Sequence, residues 1–275
     1  MAKSPQKRTV LVMGAGYGVG KAIAIHLSRR GYAMLLSSRS VDALQGTKQR
    51  ITSEGGLAKT FPCDFSKHRQ VEKLFQNIKK IDPGTFHLVN CSFGHIGEDQ
   101  GKSLLDVSYE DLSEFIKNSV LGSWYLLKAA TPILRKQKGR AAFIVADWGL
   151  PQHNILLSST AQAKDLVGSE AFVSAKYAVT GLINAAERRL GISTTGIYPG
   201  VIASMKPSTA DSTAPEYFDV DDPTASIERE AAYKNGSAIP LLDIARSVEF
   251  ALESQCGVKS IVLKPRNPNY DGIGC

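Results

Sequence analysis

The run Gly14-Ala15-Gly16-Tyr17-Gly18-Val19-Gly20 carries the densest chemical signal in the chain. It follows the short apolar stretch Thr9-Val10-Leu11-Val12-Met13 and opens a helical pattern in which Ile23 and Leu27 share an inner face. Glycine lets the backbone turn tightly and approach a ligand closely. The helix start offers free N–H groups and a partial positive charge to an anion. Strand, glycine turn and helix in that order suit a dinucleotide pyrophosphate. At the end of the next strand stands Ser37-Ser38-Arg39-Ser40. It has no carboxylate for ribose hydroxyls, whereas Arg39 can pair with a 2′-phosphate. The expected cofactor is therefore NADP(H) over NAD(H).

These residues need a frame. Strands are predicted at Thr9–Met13 and Ala33–Ser37, a third ending near Pro62–Asp64, and others at Phe86–Asn90, Ala141–Ala146, Ile192–Tyr198 and Val258–Leu263. Helices are predicted over Val19–Arg30, Val41–Gly55, Arg69–Ile81, Tyr109–Gln137, Ala171–Leu190 and Asp243–Gln255, the long one interrupted or bent near Gly122 and Pro132. Strands alternating with helices of this length make βαβ units and a parallel sheet. The expected fold is α/β: a single-domain, Rossmann-type, doubly wound parallel sheet of about seven strands with helices on both faces. Residues 1–8 read as a basic tail, residues 9–264 as the domain, and residues 265–275 as a C-terminal tail. The stretch 203–240 breaks the rhythm, with Ser, Thr, Asp and Pro around Tyr217, Phe218 and Tyr233. Aromatics in a long polar segment suggest a lid over a partly apolar small substrate.

On these motifs the chain resembles the short-chain dehydrogenase/reductase family, over nearly its whole length. Gly14, Gly18 and Gly20 match the family's glycine spacing. Asp64 matches the residue that binds near the adenine, with Phe65 after it, and Asn90 survives from the family's Asn-Asn-Ala-Gly turn. Asn118 matches the structural and proton-relay asparagine. Ser174-Ala175-Lys176 looks like the segment holding the catalytic lysine. Pro199-Gly200 matches the turn whose following residues, here Val201 and Ile202, touch the nicotinamide carboxamide. The resemblance implies a nicotinamide cofactor held by Gly14, Gly16, Tyr17, Gly18, Val19, Gly20, Ser38, Arg39, Asp64, Phe65, Asn90, Lys176, Pro199, Gly200, Val201 and Ile202.

The chemistry departs from that pattern. The family's general acid is a tyrosine four residues before the lysine, and here that position is Phe172. The spacing puts both on one helix face, but phenylalanine has no proton to give. The family's serine position has two readings. Counting from Asn118 through the helix, the strand Ala141–Ala146 ends at Asp147; counting back from Phe172 reaches Ser159. The better buried strand favours Asp147. Asp147, His95, His153, Tyr177 and Tyr198 are candidate replacements for the acid, with Tyr177 poorly directed because it should point about 100° away from Lys176. Lys176 is expected to bond the nicotinamide ribose without proton-transfer duty.

A formal net charge of +7 suits an anionic cofactor. Its spread along the chain argues against nucleic-acid binding, which needs a basic face. No apolar run is long enough to span a membrane, and the N-terminus lacks the apolar core of a signal peptide, so a cytoplasmic location is expected. Cys63, Cys91, Cys256 and Cys275 have neither zinc nor redox spacing. Three functions are compatible: an NADP(H)-dependent oxidoreductase with a modified proton donor; a non-redox isomerase, cyclase or dehydratase; or a non-catalytic NADP-binding regulator. The resemblance also implies a homo-oligomer through the two long helices, with Ala178, Ile183 and Ala185 against Leu121, Tyr125 and Leu126.

Overall fold

The structure, a computed structural model, describes residues 8–81, 83–92, 105, 107–146, 170–200, 202–203, 236 and 238–266. In chain order the elements are β1 (Arg8–Met13), α1 (Gly18–Arg29), β2 (Ala33–Ser37), α2 (Val41–Ser53), β3 (Ala58–Thr60), α3 (His68–Lys79), β4 (Thr85–Asn90), α4 (Tyr109–Ile116), a π turn (Lys117–Leu121), α5 (Gly122–Gln137), β5 (Arg140–Ile144), α6 (Glu170–Leu190), β6 (Ser193–Pro199), β7 (Ile202–Ala203), β8 (Ile239–Pro240), α7 (Leu241–Glu253) and β9 (Ser260–Leu263). Seven strands form one sheet in the order β3-β2-β1-β4-β5-β6-β9, all parallel. This is the doubly wound α/β fold expected from the alternation of elements.

Strand alternation explains the two layers of helices. Along β1, Leu11 and Met13 face one side and join Val71, Leu74, Phe75 and Ile78 of α3, Leu126 and Leu134 of α5, and Val179 and Ile183 of α6. Val10 and Val12 face the other side and join Ile23 and Leu27 of α1, Leu44 and Ile51 of α2, and Ile244 and Val248 of α7. A central parallel strand buried on both faces reads as a continuous apolar run, which is why β1, β2 and β4 are visible in the sequence. The chain winds from β1 to β2 and β3 on one side, then returns to β4 and continues on the other. The switch point lies between β1 and β4, where Met13 pairs with Asn90, and a ligand crevice belongs at the carboxyl ends there.

Three local differences from the sequence expectation lie at element ends. β3 ends at Thr60, short of Pro62–Asp64, although single backbone bonds to the end of β2 run on: the Phe61 N–H donates to the Leu36 carbonyl at 2.8 Å and the Cys63 N–H to the Ser38 carbonyl at 3.0 Å. As the sheet's edge strand it tolerates Pro62, whose nitrogen faces away from β2. β1 begins at Arg8, which leaves the tail: its guanidinium bonds Glu253 at 2.8 Å and the Arg30 carbonyl at 2.8 Å and lies over the Tyr32 ring. A short parallel pair, Ile202 with Ile239 and Ala203 with Pro240, joins the two ends of the 203–240 stretch; two-residue strands carry no periodicity to read. Residues 204–235, and with them Tyr217, Phe218 and Tyr233, lie outside the described residues.

The helix layer on the α1 side is tied at its lower end by charge. Glu249 of α7 meets His26 Nε2 at 2.6 Å and Arg30 Nε at 2.5 Å. Burial pushes the Glu249 carboxyl up, but those two partners outweigh it and hold it below its ordinary range. The pair fixes α7 against α1, the helix whose other end opens at the glycine turn.

Candidate functional site

The glycine turn, which connects β1 to α1, lies at the switch point. The Gly14 and Ala15 N–H groups both donate to the Ser37 carbonyl at the end of β2, at 2.7 and 3.1 Å. Thr47 of α2, fully buried, donates its hydroxyl to the Ala15 carbonyl at 2.8 Å. The turn is therefore clamped from β2 and from α2, leaving the α1 start open. The glycines are there for space. A Cβ on Gly20 would sit 2.1 Å from the Gly14 carbonyl oxygen, and one on Gly16 would sit 2.9 Å from the Ala43 Cβ. Tyr17 at the tip of the turn is 39% exposed, while Gly18 and Gly20 are buried and Val19 is half-buried. No acidic residue stands in the first turn of α1, so its positive end is uncompensated and suited to an anion.

Around this turn the sequence candidates converge as side chains of neighbouring strand ends. Ser38 and exposed Arg39 follow β2 directly. Asp64 accepts from the Ser66 N–H at 3.1 Å and hydroxyl at 2.7 Å. Burial raises its carboxyl, but Ser66, Lys67 and the nearby Arg39 charge outweigh that and hold it below the usual carboxylate range. Arg39 and Asp64 thus share one electrostatic neighbourhood. Phe65 turns the other way, into the core, where its ring occupies the space a Cβ on Gly122 would need, at 2.5 Å.

Asn90, at the end of β4, is fully buried and its amide is engaged within the protein: Nδ2 donates to Ser123 Oγ at 3.3 Å and Oδ1 accepts from the Ser92 N–H at 3.0 Å. Asn118 falls in the π turn between α4 and α5 and is half-buried, its Nδ2 donating to Glu114 Oε1 at 3.4 Å. The long helix is indeed interrupted just before Gly122, by a π turn, a feature often found at functional sites. At Pro132 the helix continues.

Lys176 lies in the second turn of α6, one turn beyond Phe172, and is 4% exposed. Burial lowers its ammonium from 10.5 to about 7. α6 packs on the π turn, on α4 and α5 and on β6, so Lys176 and Asn118 belong to elements in direct contact. Tyr177 is half-buried and Lys176 buried, the angular separation expected of helix neighbours. Tyr198 is 3% exposed in the core, its hydroxyl bonded to the Thr180 side chain, and burial raises its phenol. Its hydroxyl is therefore directed at α6. Pro199 ends β6 buried, and the Gly200 N–H donates to the Leu263 carbonyl at 3.1 Å. Ile202 is half-buried in β7.

Asp147, Ser159, His95, His153 and Val201 lie outside the described residues, as does the side chain of Phe172. The strand that Asp147 would follow is β5, between β4 and β6. Ala146, just beyond it, has φ 110°. A non-glycine residue held there costs of order 1–3 kcal/mol, and such strain gathers at functional edges. Sequence reasoning missed Ala146, Thr47 and Ser123. Threonine and serine inside helices are uninformative by type, and only the fold shows which carbonyls they reach. Among the described residues, no three His, Cys, Asp or Glu are grouped to hold a metal, and no helix is long and apolar enough to cross a membrane.

The family profile described as "short chain dehydrogenase" matches residues 8–213, and the chain belongs to that family. It is 33% identical over 123 residues to carbonyl reductase family member 4 of Danio rerio, a match covering 45% of this chain and 49% of that relative. To the 3-oxoacyl-[acyl-carrier-protein] reductase of Mus musculus it is 26% identical over 253 residues, covering 88% and 90%. The solved alcohol dehydrogenase of Thermococcus sibiricus, complexed with 5-hydroxy-NADP, superposes with a TM-score of 0.73 at 23% identity, covering 95% of this chain and 97% of that one. That likeness is one of fold.

Proposed function

We propose that this protein is an NADP(H)-dependent oxidoreductase acting on a small, partly apolar carbonyl or alcohol substrate, with a proton donor other than the family's tyrosine. The observation that carries the reading is the clamped glycine turn at the switch point, too tight for any Cβ at Gly20, with exposed Arg39 beside it. The geometry fits a dinucleotide: the turn and the α1 N-terminus receive the pyrophosphate, Arg39 and Ser38 the 2′-phosphate, and Asp64 the adenine side. Pro199, Gly200, Val201 and Ile202 flank the nicotinamide end, and Lys176 bonds its ribose. When bound, the cofactor supplies the hydride. Asn118 and the residue beyond β5, Asp147 or Ser159, stand on the proton-delivery side, and the 203–240 stretch, joined at its base by β7 and β8, covers the crevice. The zebrafish and mouse relatives, both named as reductases, support a carbonyl substrate.

Phe172 favours a second reading, a non-redox enzyme or a non-catalytic NADP-binding regulator on the same scaffold. Titration with NADPH and NADH tests the cofactor site, and turnover of a carbonyl panel with loss of NADPH absorbance then separates the oxidoreductase from a non-redox enzyme or a regulator. NADPH binding at least tenfold tighter than NADH, reduced to parity by Arg39→Asp, is expected; binding of neither removes the oxidoreductase reading. Phe172→Tyr should then raise NADPH-dependent carbonyl reduction.

We also propose self-association across α5 and α6. Ile183 and Leu126 cannot serve, because both are buried in the protein's own core. The available face is Leu121 and Trp124, 41% and 53% exposed, with Leu182 and Ala185 along a groove of about 360 Å³. Sedimentation of wild type and Trp124→Glu tests it: a monomeric wild type would refute it.

A further inference from the structure

One buried polar chain joins the two halves of the site. The Ser92 N–H donates to Asn90 Oδ1 at 3.0 Å, Asn90 Nδ2 donates to Ser123 Oγ at 3.3 Å, and the Ser123 hydroxyl donates to the Ser119 carbonyl at 2.7 Å. Asn90, Ser119 and Ser123 have no exposed surface at all. At one end of the chain is the π turn that carries Asn118 next to Ser119. At the other is the glycine turn: Gly14, at φ 81°, lies so close to Ser92 that a Cβ would sit 2.9 Å from Ser92 Oγ and 3.2 Å from the Cys91 carbonyl. The Cys91 N–H also donates to the Met13 carbonyl at 3.0 Å.

We infer that Ser123 is a positioning residue that sets the register between the dinucleotide-binding turn and the π turn of Asn118, acting through Asn90. The site needs such a register device because its two halves are far apart in sequence and come from different elements. The π turn rotates the helix relative to an α-helical path, so the placement of Asn118 depends on what holds Ser119. Ser123 holds it from one turn on, by a side-chain bond to the carbonyl four residues back, a contact that bends helices. The same oxygen accepts from Asn90, so the bend and the end of β4 cannot shift independently without orphaning a buried amide, which is costly. A buried network that is fully satisfied in only one arrangement specifies that arrangement.

The inference rests on the proposed NADP(H) site for its consequence, but its coupling is testable without a ligand. Hydrogen–deuterium exchange on the full chain compares wild type with Ser123→Ala and Ser123→Cys. The cysteine variant keeps the volume with only a weak donor, so it carries the test if the alanine variant does not fold. Faster exchange at residues 14–16 and 90–92, as well as at 117–123, is expected in either variant. A change confined to 117–123 overturns the inference, since coupling between sites has to be demonstrated by perturbation. NADPH titration forms the second arm: the variants should bind about tenfold more weakly, within the ordinary range of inter-site coupling. An unchanged Kd in a protein that does bind NADPH assigns Ser123 a merely structural role. If wild type binds no NADPH, the cofactor reading fails, and the exchange arm alone decides the register.

Discussion

Replacing Lys176 with methionine should stabilise the ligand-free protein while impairing the proposed cofactor site. The side chain is 4% exposed, and burial lowers its ammonium from 10.5 to about 7. In the unfolded chain the lysine stays protonated up to its ordinary value, so between pH 7 and 10.5 unfolding takes up a proton and stability rises with pH. The depressed group thus contributes a destabilisation that is absent above about 10.5 and complete below about 7. At about 1.4 kcal/mol per pH unit it amounts to up to about 5 kcal/mol. Lys176 also makes an interaction within the protein that methionine would give up, which reduces the expected net gain to roughly 3 kcal/mol at pH 7. For a domain of this size that is a rise in Tm of roughly 10 °C. Thermal unfolding of wild type and Lys176→Met from pH 6.5 to 10.5 measures it, with NADPH binding followed alongside. The variant should be the more stable at pH 7, the gap should close as pH rises, and NADPH affinity should drop. A variant less stable than wild type at pH 7, or a gap independent of pH, would refute the reasoning.

Two further outcomes follow from the geometry. Gly20→Ala must open the turn, because its Cβ would meet the Gly14 carbonyl at 2.1 Å; NADPH binding should weaken at least tenfold, about 1.4 kcal/mol, and calorimetric titration reads it. His87 is 5% exposed in β4, its Nδ1 accepting the Arg140 N–H at 3.2 Å, and burial, then the Arg140 and Arg8 charges, lower it from 6.5 to about 4. The unfolded chain binds that proton first as pH falls, so its contribution is whole above pH 6.5 and declines toward pH 4, by about 3 kcal/mol in all. Urea unfolding at pH 7.5 and 4.5 should show His87→Gln losing less stability on acidification than wild type.

The sheet and its winding were legible in the sequence because buried parallel strands are short apolar runs and the helices between them carry capping and periodicity signals. β1, β2, β4 and β5 show this directly, and the glycine turn declared itself by its place between strand and helix. The tail boundary at Arg8, the early end of β3 and the β7–β8 pair were not legible, since single residues and two-residue bridges have no period. At the candidate site, residue type pointed to Arg39, while Asp64 and Lys176 were marked by the family resemblance. Neither could show that Asn90 spends its amide on Ser123, that the Phe65 ring fills the space beside Gly122, that the Tyr198 hydroxyl is directed at Thr180, or that Ile183 and Leu126 face inward. Local pattern determines which segments become strands and helices, because propensity and periodicity act over a few residues. Partners of buried polar groups and the side of a helix that meets solvent were decided only by tertiary structure, because they depend on which distant elements the winding of the sheet brings into contact.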